Sequence, residues 1–275
     1  MKNEKSGQTY FSFLKGEKIM RALVTGASSG IGRDMARYLS NLGYDLIITA
    51  RNKTNLENLK QELEKDNKIK VDVMPRDLSK KEECISLYEE IKEKYENIDV
   101  LINNAGFGLC GEFVETELDL ELSMIDTNIK AVHILTKLFL KDMVKRSQGR
   151  ILNVGSVASF MPGPLMATYY STKSYVLRLT ESIKEELNKK KSNVKISVLC
   201  PGPINTNFNK VANVQFALKG LSSEYVAKYA IDKMLKNKTV ISVGWKIKVV
   251  RFLTKITPDF INAKFCYHMQ KRKLQ

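Results

Sequence analysis

The sequence predicts an α/β fold, a doubly wound and mostly parallel sheet with helices on both faces. Three observations predict it. Short apolar runs recur along the chain, longer amphipathic stretches separate them, and no internal repeat, low-complexity linker or proline-rich boundary divides residues 20 to 244. Strands covered on both faces read as continuous apolar runs, and their alternation with helices is how a chain builds parallel neighbours.

The runs come in order. Ala22-Leu23-Val24 opens the sheet, and the amphipathic stretch behind it ends at Gly43, a residue suited to the left-handed position just past a helix. Leu46-Ile47-Ile48 follows, then a helical stretch carrying Leu56, Leu59 and Leu63 at one-face spacing. Val71-Asp72-Val73 precedes a second such stretch, with Ile85, Tyr88 and Ile91. Val100-Leu101-Ile102, Ile151-Leu152 and Ile196-Ser197-Val198-Leu199 supply the remaining runs.

At 275 residues the chain suits one large domain with an ample core. Cys84, Cys110, Cys200 and Cys266 are scattered without a Cys-x-x-Cys pair, and His133 and His268 lie far apart. This pattern predicts no metal site and suits buried, reduced thiols in a cytoplasmic protein. No apolar run approaches the roughly twenty residues that span a bilayer, and the N-terminal segment lacks the hydrophobic core of a signal peptide. The expected protein is soluble, or peripheral to a membrane. Its formal charge of +15 comes from lysines interleaved with glutamates, a solvated basic surface with no nucleic-acid-binding motif behind it. Residues 1–19 lack periodicity and are expected to be a tail. Lys15-Gly16-Glu17-Lys18 before Met20 has the look of a translated purine-rich ribosome-binding sequence, which would make Met20 the initiator.

Tyr169 and Lys173 lie one helical turn apart, thirteen residues after Ser156. Residues i and i+4 share a helix face, so a lysine there can favour the ionised form of the phenol and bring its proton exchange towards neutral pH. Spacing alone says little, because Tyr88/Lys92, Tyr229/Lys233 and Tyr267/Lys271 repeat it on what read as solvated helix faces. Only Tyr169/Lys173 follows an apolar run ending in a small hydroxyl residue, Ser156. Near the start, Thr25-Gly26-Ala27-Ser28-Ser29-Gly30-Ile31-Gly32 falls between the first strand and its helix. Glycines at 26, 30 and 32 permit a tight turn and close backbone approach, and helix N-terminal amides there can hold a pyrophosphate. At the end of the second strand stands Arg51, a cation where an NAD-preferring site carries a carboxylate for the ribose hydroxyls. A guanidinium suits a 2′-phosphate, which predicts NADP(H).

Together these residues resemble the short-chain dehydrogenase/reductase family over about residues 20 to 244. The resemblance also rests on Asp77-Leu78, Asn103-Asn104-Ala105-Gly106, Asn128 and Pro201-Gly202-Pro203-Ile204-Asn205-Thr206. It implies a seven-stranded sheet of Rossmann type and hydride transfer between a nicotinamide and a carbonyl or alcohol carbon. By the same resemblance Tyr169 is the general acid in reduction, Ser156 binds the substrate oxygen, and Lys173 binds the nicotinamide ribose and lowers the tyrosine pKa. Asn128 holds a proton-relay water. Asp77 and Leu78 border the adenine, Asn104, Ala105 and Gly106 line the adenosine side, and Pro201, Gly202, Ile204 and Thr206 flank the nicotinamide. Ser28, Ser29 and Ile31 belong to the phosphate loop. A homodimer or homotetramer is implied as well.

The variable segments, Phe107 to Glu115, Phe160 to Ala167, Asn207 to Gly220 and the C-terminus, are where such a family sets its substrate. Phe107, Phe113, Phe160, Met161, Met166 and Phe216 suggest an apolar pocket and a lipophilic ketone or secondary alcohol, acyl, steroid-like or retinoid-like; a 3-oxoacyl-carrier-protein substrate is a variant. From Trp245 the chain becomes a basic amphipathic helical extension, with Val249, Phe252, Leu253, Ile256 and Phe260 opposite Lys248, Arg251 and Lys255. Two occupants stay open for its apolar face: the chain's own domain or a subunit partner, and an anionic membrane. The alternative from another functional class is an NADP(H)-sensing binding protein without turnover.

Overall fold

The computed structural model describes residues 20–204 and 220–271. Strands β1 (Arg21–Thr25), β2 (Asp45–Thr49), β3 (Val71–Val73), β4 (Val100–Asn103), β5 (Arg150–Val154), β6 (Lys195–Cys200) and β7 (Val240–Ser242) form a seven-stranded sheet in the order β3-β2-β1-β4-β5-β6-β7. Every neighbouring pair is parallel. The six runs seen in the sequence are six of these strands. The seventh, β7, is three residues long, as is β3, and is not among the runs read from the sequence.

Helices α1 (Gly30–Asn41), α2 (Lys53–Asp66), α3 (Lys81–Lys94), α5 (Val132–Lys145), α6 (Ala167–Lys189) and α7 (Ser223–Leu235) cover the sheet, with α4 (Leu118–Ile125) leading into α5 through a π-helical turn, Asp126–Ala131. Alternate residues of β1 divide between two cores. Ala22 and Val24 pack with Leu46 and Ile48 against Met35 and Leu39 of α1, Leu56 and Leu59 of α2 and Met234 of α7. Leu23 and Ile47 face the other way, against Leu87 and Ile91 of α3 and Phe139 of α5. Burial on both faces is why each strand reads as an unbroken apolar run.

Gly43 ends the first helix as expected, at φ +81°, with its amide bonded to the Ser40 carbonyl at 2.9 Å. On α3 the buried ridge is Cys84, Leu87 and Ile91, with Tyr88 at its margin. All four cysteines are buried, and none is disulfide-bonded.

After β7 come α8 (Trp245–Ile256) and α9 (Asp259–Lys271), broken at Pro258. Helical spacing over the extension is present, but its orientation corrects one expectation. The apolar stripe does not cover the domain: Val249, Phe252, Leu253, Ile256 and Phe260 are exposed, and α8 rests on the domain through Ile247, Val250, Arg251 and Thr254. Arg251 is therefore on the inner side, 5.7 Å from the Phe160 ring centroid and 3.8 Å from Glu181. The expectations for residues 1–19, Asn205, Thr206 and Phe216 lie outside the described residues. Among the described residues, no helix is long and apolar enough to cross a membrane.

Candidate active site

The strand order reverses direction between β1 and β4, and in such sheets the crevice beyond the strand C-termini at that point is where ligands bind. The residues singled out in the sequence gather there.

The glycine loop runs from the end of β1 into α1. Gly26 and Gly30 take φ of +65° and +55°. A Cβ on Gly26 would come within 2.8 Å of Ala105 Cα, and one on Gly32 within 2.4 Å of the Gly26 carbonyl oxygen. The loop is therefore pressed against the end of β4. Asn104 locks it there: its Nδ2 donates to the carbonyls of Thr25 at 3.0 Å and Gly26 at 3.1 Å, while its backbone amide donates to Thr25 Oγ1 at 2.9 Å. Ala105 N donates to the same hydroxyl at 3.0 Å. Ser29 caps α1 without a side-chain capping bond, and the first turn of α1 carries no acid. Such a helix end, with Ser28, Gly30 and Ile31 around it, fits a dinucleotide pyrophosphate.

Arg51 follows β2, exposed, just before the N-cap of α2, Asn52. Asp77 lies within reach of its charge. Burial works to raise the Asp77 carboxyl, but hydrogen bonds from Ser79 and the nearby Arg51 charge outweigh it and hold the group below its ordinary value. Leu78 beside it is buried.

Ser156 stands after β5 and caps a 3₁₀ turn, Val157–Phe160, its Oγ accepting from Ala158 N at 3.2 Å. The same side chain hydrogen-bonds Tyr169 near the start of α6. Burial pushes the Tyr169 phenol up to about 12, the bond to Ser156 opposing that rise, and pushes the Lys173 ammonium down to about 8. This corrects the expectation of a lowered tyrosine pKa. The Lys173 ammonium donates to the Val154 carbonyl at 3.0 Å and stands 5.9 Å from the Tyr169 ring centroid, so burial dominates both groups.

Asn128 lies in the π turn, fully buried, with its side chain fully committed. Its Oδ1 accepts from Phe107 N at 3.1 Å, and its Nδ2 donates to Phe107 O at 2.9 Å and to Thr172 Oγ1 at 3.0 Å. The loop after β4 is thereby fastened to α6 one residue before Lys173. Gly106 makes the approach possible, because a Cβ there would fall 2.6 Å from Asn128 Oδ1. After β6, Pro201 accepts from Val157 N at 2.8 Å, Gly202 lies under Ile247 of α8, and Ile204 pairs with Leu221.

Tyr170, the neighbouring phenol, turns away from this group. Its hydroxyl accepts from Gln270 Nε2 at 2.5 Å and from Cys266 Sγ at 3.4 Å, both on α9. The other Tyr/Lys pairs also sit elsewhere: Tyr88 and Lys92 share Asp142, at 2.7 and 3.2 Å. Beside Tyr169, Phe107, Met161 and Met166 gather into an apolar cluster as expected. Phe113 is exposed and Phe160 packs in a different cluster, so neither belongs to that wall. Met124 and Cys266 do belong, and sequence spacing did not point to them.

The short chain dehydrogenase family model matches residues 20–215. An uncharacterized oxidoreductase of Staphylococcus aureus strain MRSA252 is 33% identical over 192 residues, covering 70% of this chain and 81% of its own. Among solved structures, a short-chain dehydrogenase from Sphingobium yanoikuyae in complex with NADPH superposes with a TM-score of 0.78 at 27% identity, over 82% of this chain and 89% of that one. A Burkholderia phymatum short-chain dehydrogenase/reductase in complex with NAD gives 0.78 at 23% identity, over 85% and 92%, a likeness of fold.

Proposed function

The chain belongs to the short-chain dehydrogenase family, and from that premise we propose an NADP(H)-dependent oxidoreductase that interconverts a lipophilic ketone and its secondary alcohol. The observation that carries this reading is the meeting of Ser156, Tyr169 and Lys173 beside a glycine loop at the switch point of the sheet. The bound cofactor would supply hydride chemistry at its nicotinamide, and the chain supplies position and protons.

The backbone of Gly26 to Gly32 would hold the pyrophosphate, with Asn104 fixing the loop against the end of β4. Arg51 supports the choice of NADP(H), because its guanidinium can pair with a 2′-phosphate. Asp77 and Leu78 are assigned to the adenine side, Ala105 and Gly106 to the adenosine side, and Pro201, Gly202 and Ile204 to the nicotinamide.

Tyr169 is assigned as the proton donor to the substrate oxygen in reduction. Burial holds the phenol up at about 12, so it carries its proton at neutral pH, and the hydrogen bond to Ser156, which opposes that rise, would ease its release. Ser156, bonded to that phenol, would donate to the same oxygen and stabilise its developing charge. An ammonium has three donors; the Val154 carbonyl takes one from Lys173, and the others are assigned to the nicotinamide ribose. Asn128 is a positioning residue, since its side chain is spent on Phe107 and Thr172. A relay water would fall to its backbone carbonyl. Apolar Phe107, Met161 and Met166 beside Tyr169 support a lipophilic substrate.

The deciding experiment follows NADPH and NADH oxidation over ketones of graded size and chain length. Turnover with NADPH that improves with apolar bulk supports the reading. Cofactor binding without oxidation across the panel would instead favour a sensing protein.

A further inference from the structure

We propose that the outward face of α8 docks this protein onto an anionic membrane surface, with the exposed Phe260 and Ile261 following in sequence at the start of α9. The exposed residues are large and contiguous. Trp245 is 70% exposed, Phe252 63%, Ile256 65% and Phe260 64%, with Val249 and Leu253 between them. At about 100° per residue, Trp245, Val249, Phe252 and Ile256 form one stripe pointing away from the domain. Lys248 and Lys255 flank the stripe on one side and Lys246 on the other, all exposed.

The inner side fixes this orientation. Ile247 lies on Gly202, Arg251 on Phe160 and Glu181, and Gln270 on Tyr170. Neither helix can turn its inner side outward without giving up those contacts. Patches of this kind on a folded surface mark an interaction site.

Charge selects the occupant. Residues 245–271 carry six Lys and Arg against one acid, Asp259, within a chain of net charge +15. A two-fold interface packs a patch against itself and would set these lysines against their own copies. An anionic bilayer complements them, and aromatic residues with flanking lysines are the composition of a helix that lies in the headgroup boundary.

The test uses the full chain and phosphatidylcholine vesicles with or without phosphatidylglycerol, read by flotation. Binding to the anionic vesicles, weakened by salt and absent from the neutral ones, is expected. Each lysine near an anionic surface contributes roughly a fivefold gain in partitioning. Lys246→Glu/Lys248→Glu/Lys255→Glu should thus lower binding at least about a hundredfold. Phe252→Ser/Ile256→Ser should abolish it, and Lys189→Glu, at the exposed C-terminal end of α6, should leave it nearly unchanged. Absence of binding, equal partitioning into both vesicles, or a Lys189→Glu effect as large as one third of the triple variant's would overturn the proposal. A concentration-dependent dimer dissolved by Phe252→Ser/Ile256→Ser would overturn it too, assigning the face to a second copy. Flotation needs no turnover, so either result leaves the catalytic assignment standing.

Discussion

The Lys173 ammonium lies 5.9 Å from the centroid of the Tyr169 ring, yet gives its hydrogen bond to the Val154 carbonyl at 3.0 Å. Both groups are buried, and burial favours the neutral form of each: the phenol is pushed up to about 12, the ammonium down to about 8. A protonated phenol is set beside a lysine still charged at neutral pH. The arrangement suits proton donation.

Tyr169→Phe keeps the ring and removes the transferable proton. Turnover is expected to fall by about 10² to 10⁴, the usual contribution of a positioned acid, with the NADPH dissociation constant nearly unchanged. Steady-state kinetics with a fluorescence titration of cofactor separates the two. Turnover within a fewfold of the parent would remove Tyr169 from the mechanism.

The depressed Lys173 also predicts how stability responds to alkali. Between pH about 8 and its ordinary 10.5 the unfolded chain holds a proton that the folded protein has released, so this residue makes stability rise with pH across that window. Below it, the folded protein bears a buried charge. The stability of the parent minus that of Lys173→Met is therefore expected to increase from pH 8 to 10.5, by at least on the order of 1 kcal/mol. Paired urea melts at several pH values measure it. A difference independent of pH would mean that Lys173 keeps an ordinary pKa.

Arg51→Asp should invert cofactor choice. Loss of charged hydrogen bonds to a 2′-phosphate costs about 1.5–3 kcal/mol, roughly ten- to a hundredfold in NADPH affinity. The new carboxylate can accept from ribose hydroxyls, so NADH affinity should hold or improve. Equal effects on the two cofactors would take Arg51 out of the selection, leaving it as a charge that adds to the Ser79 hydrogen bonds in lowering Asp77.

Features written in local spacing were legible in the sequence. The strands β1 to β6, the stop at Gly43 and the glycine loop each need only neighbours a few residues apart, and the Ser156, Tyr169, Lys173 grouping spans only residues 156 to 173. What was not legible depends on contacts between distant segments. The bond from Gln270 to Tyr170 joins residues 100 positions apart, and those from Asn128 to Phe107 and Thr172 join residues 21 and 44 apart. The pKa of Tyr169 followed burial, which no spacing encodes. Periodicity in α8 disclosed an apolar stripe but not which way it faces, because helical spacing is the same for a stripe turned in or out.

Gly32 carries a constraint that side-chain chemistry does not show. A Cβ there would sit 2.3 Å from Asn104 Nδ2 and 2.4 Å from the Gly26 carbonyl oxygen, and the second of these is backbone. Gly32→Ala should therefore break the bonds from Asn104 to Thr25 and Gly26, destabilise the fold by about 1–3 kcal/mol and weaken cofactor binding with it. Thermal melting and cofactor titration are expected to move together. A stable variant with intact affinity would show that the loop opens at little cost.

Asn128→Ala distinguishes positioning from chemistry. Removing the amide strips partners from Phe107 N, Phe107 O and Thr172 Oγ1 at once, and each buried group left without a partner costs about 1–3 kcal/mol. Part of that cost will be recovered as the loop relaxes, so a net loss of about 2–4 kcal/mol in unfolding free energy is expected. Catalysis should fail through geometry. Because Phe107 stands in the apolar wall beside Tyr169, KM for bulky ketones should rise more than kcat falls. A relay lost at this residue would give the opposite split, with kcat for ketone reduction lowered, KM preserved, and the loss growing as pH is raised and protons become scarce.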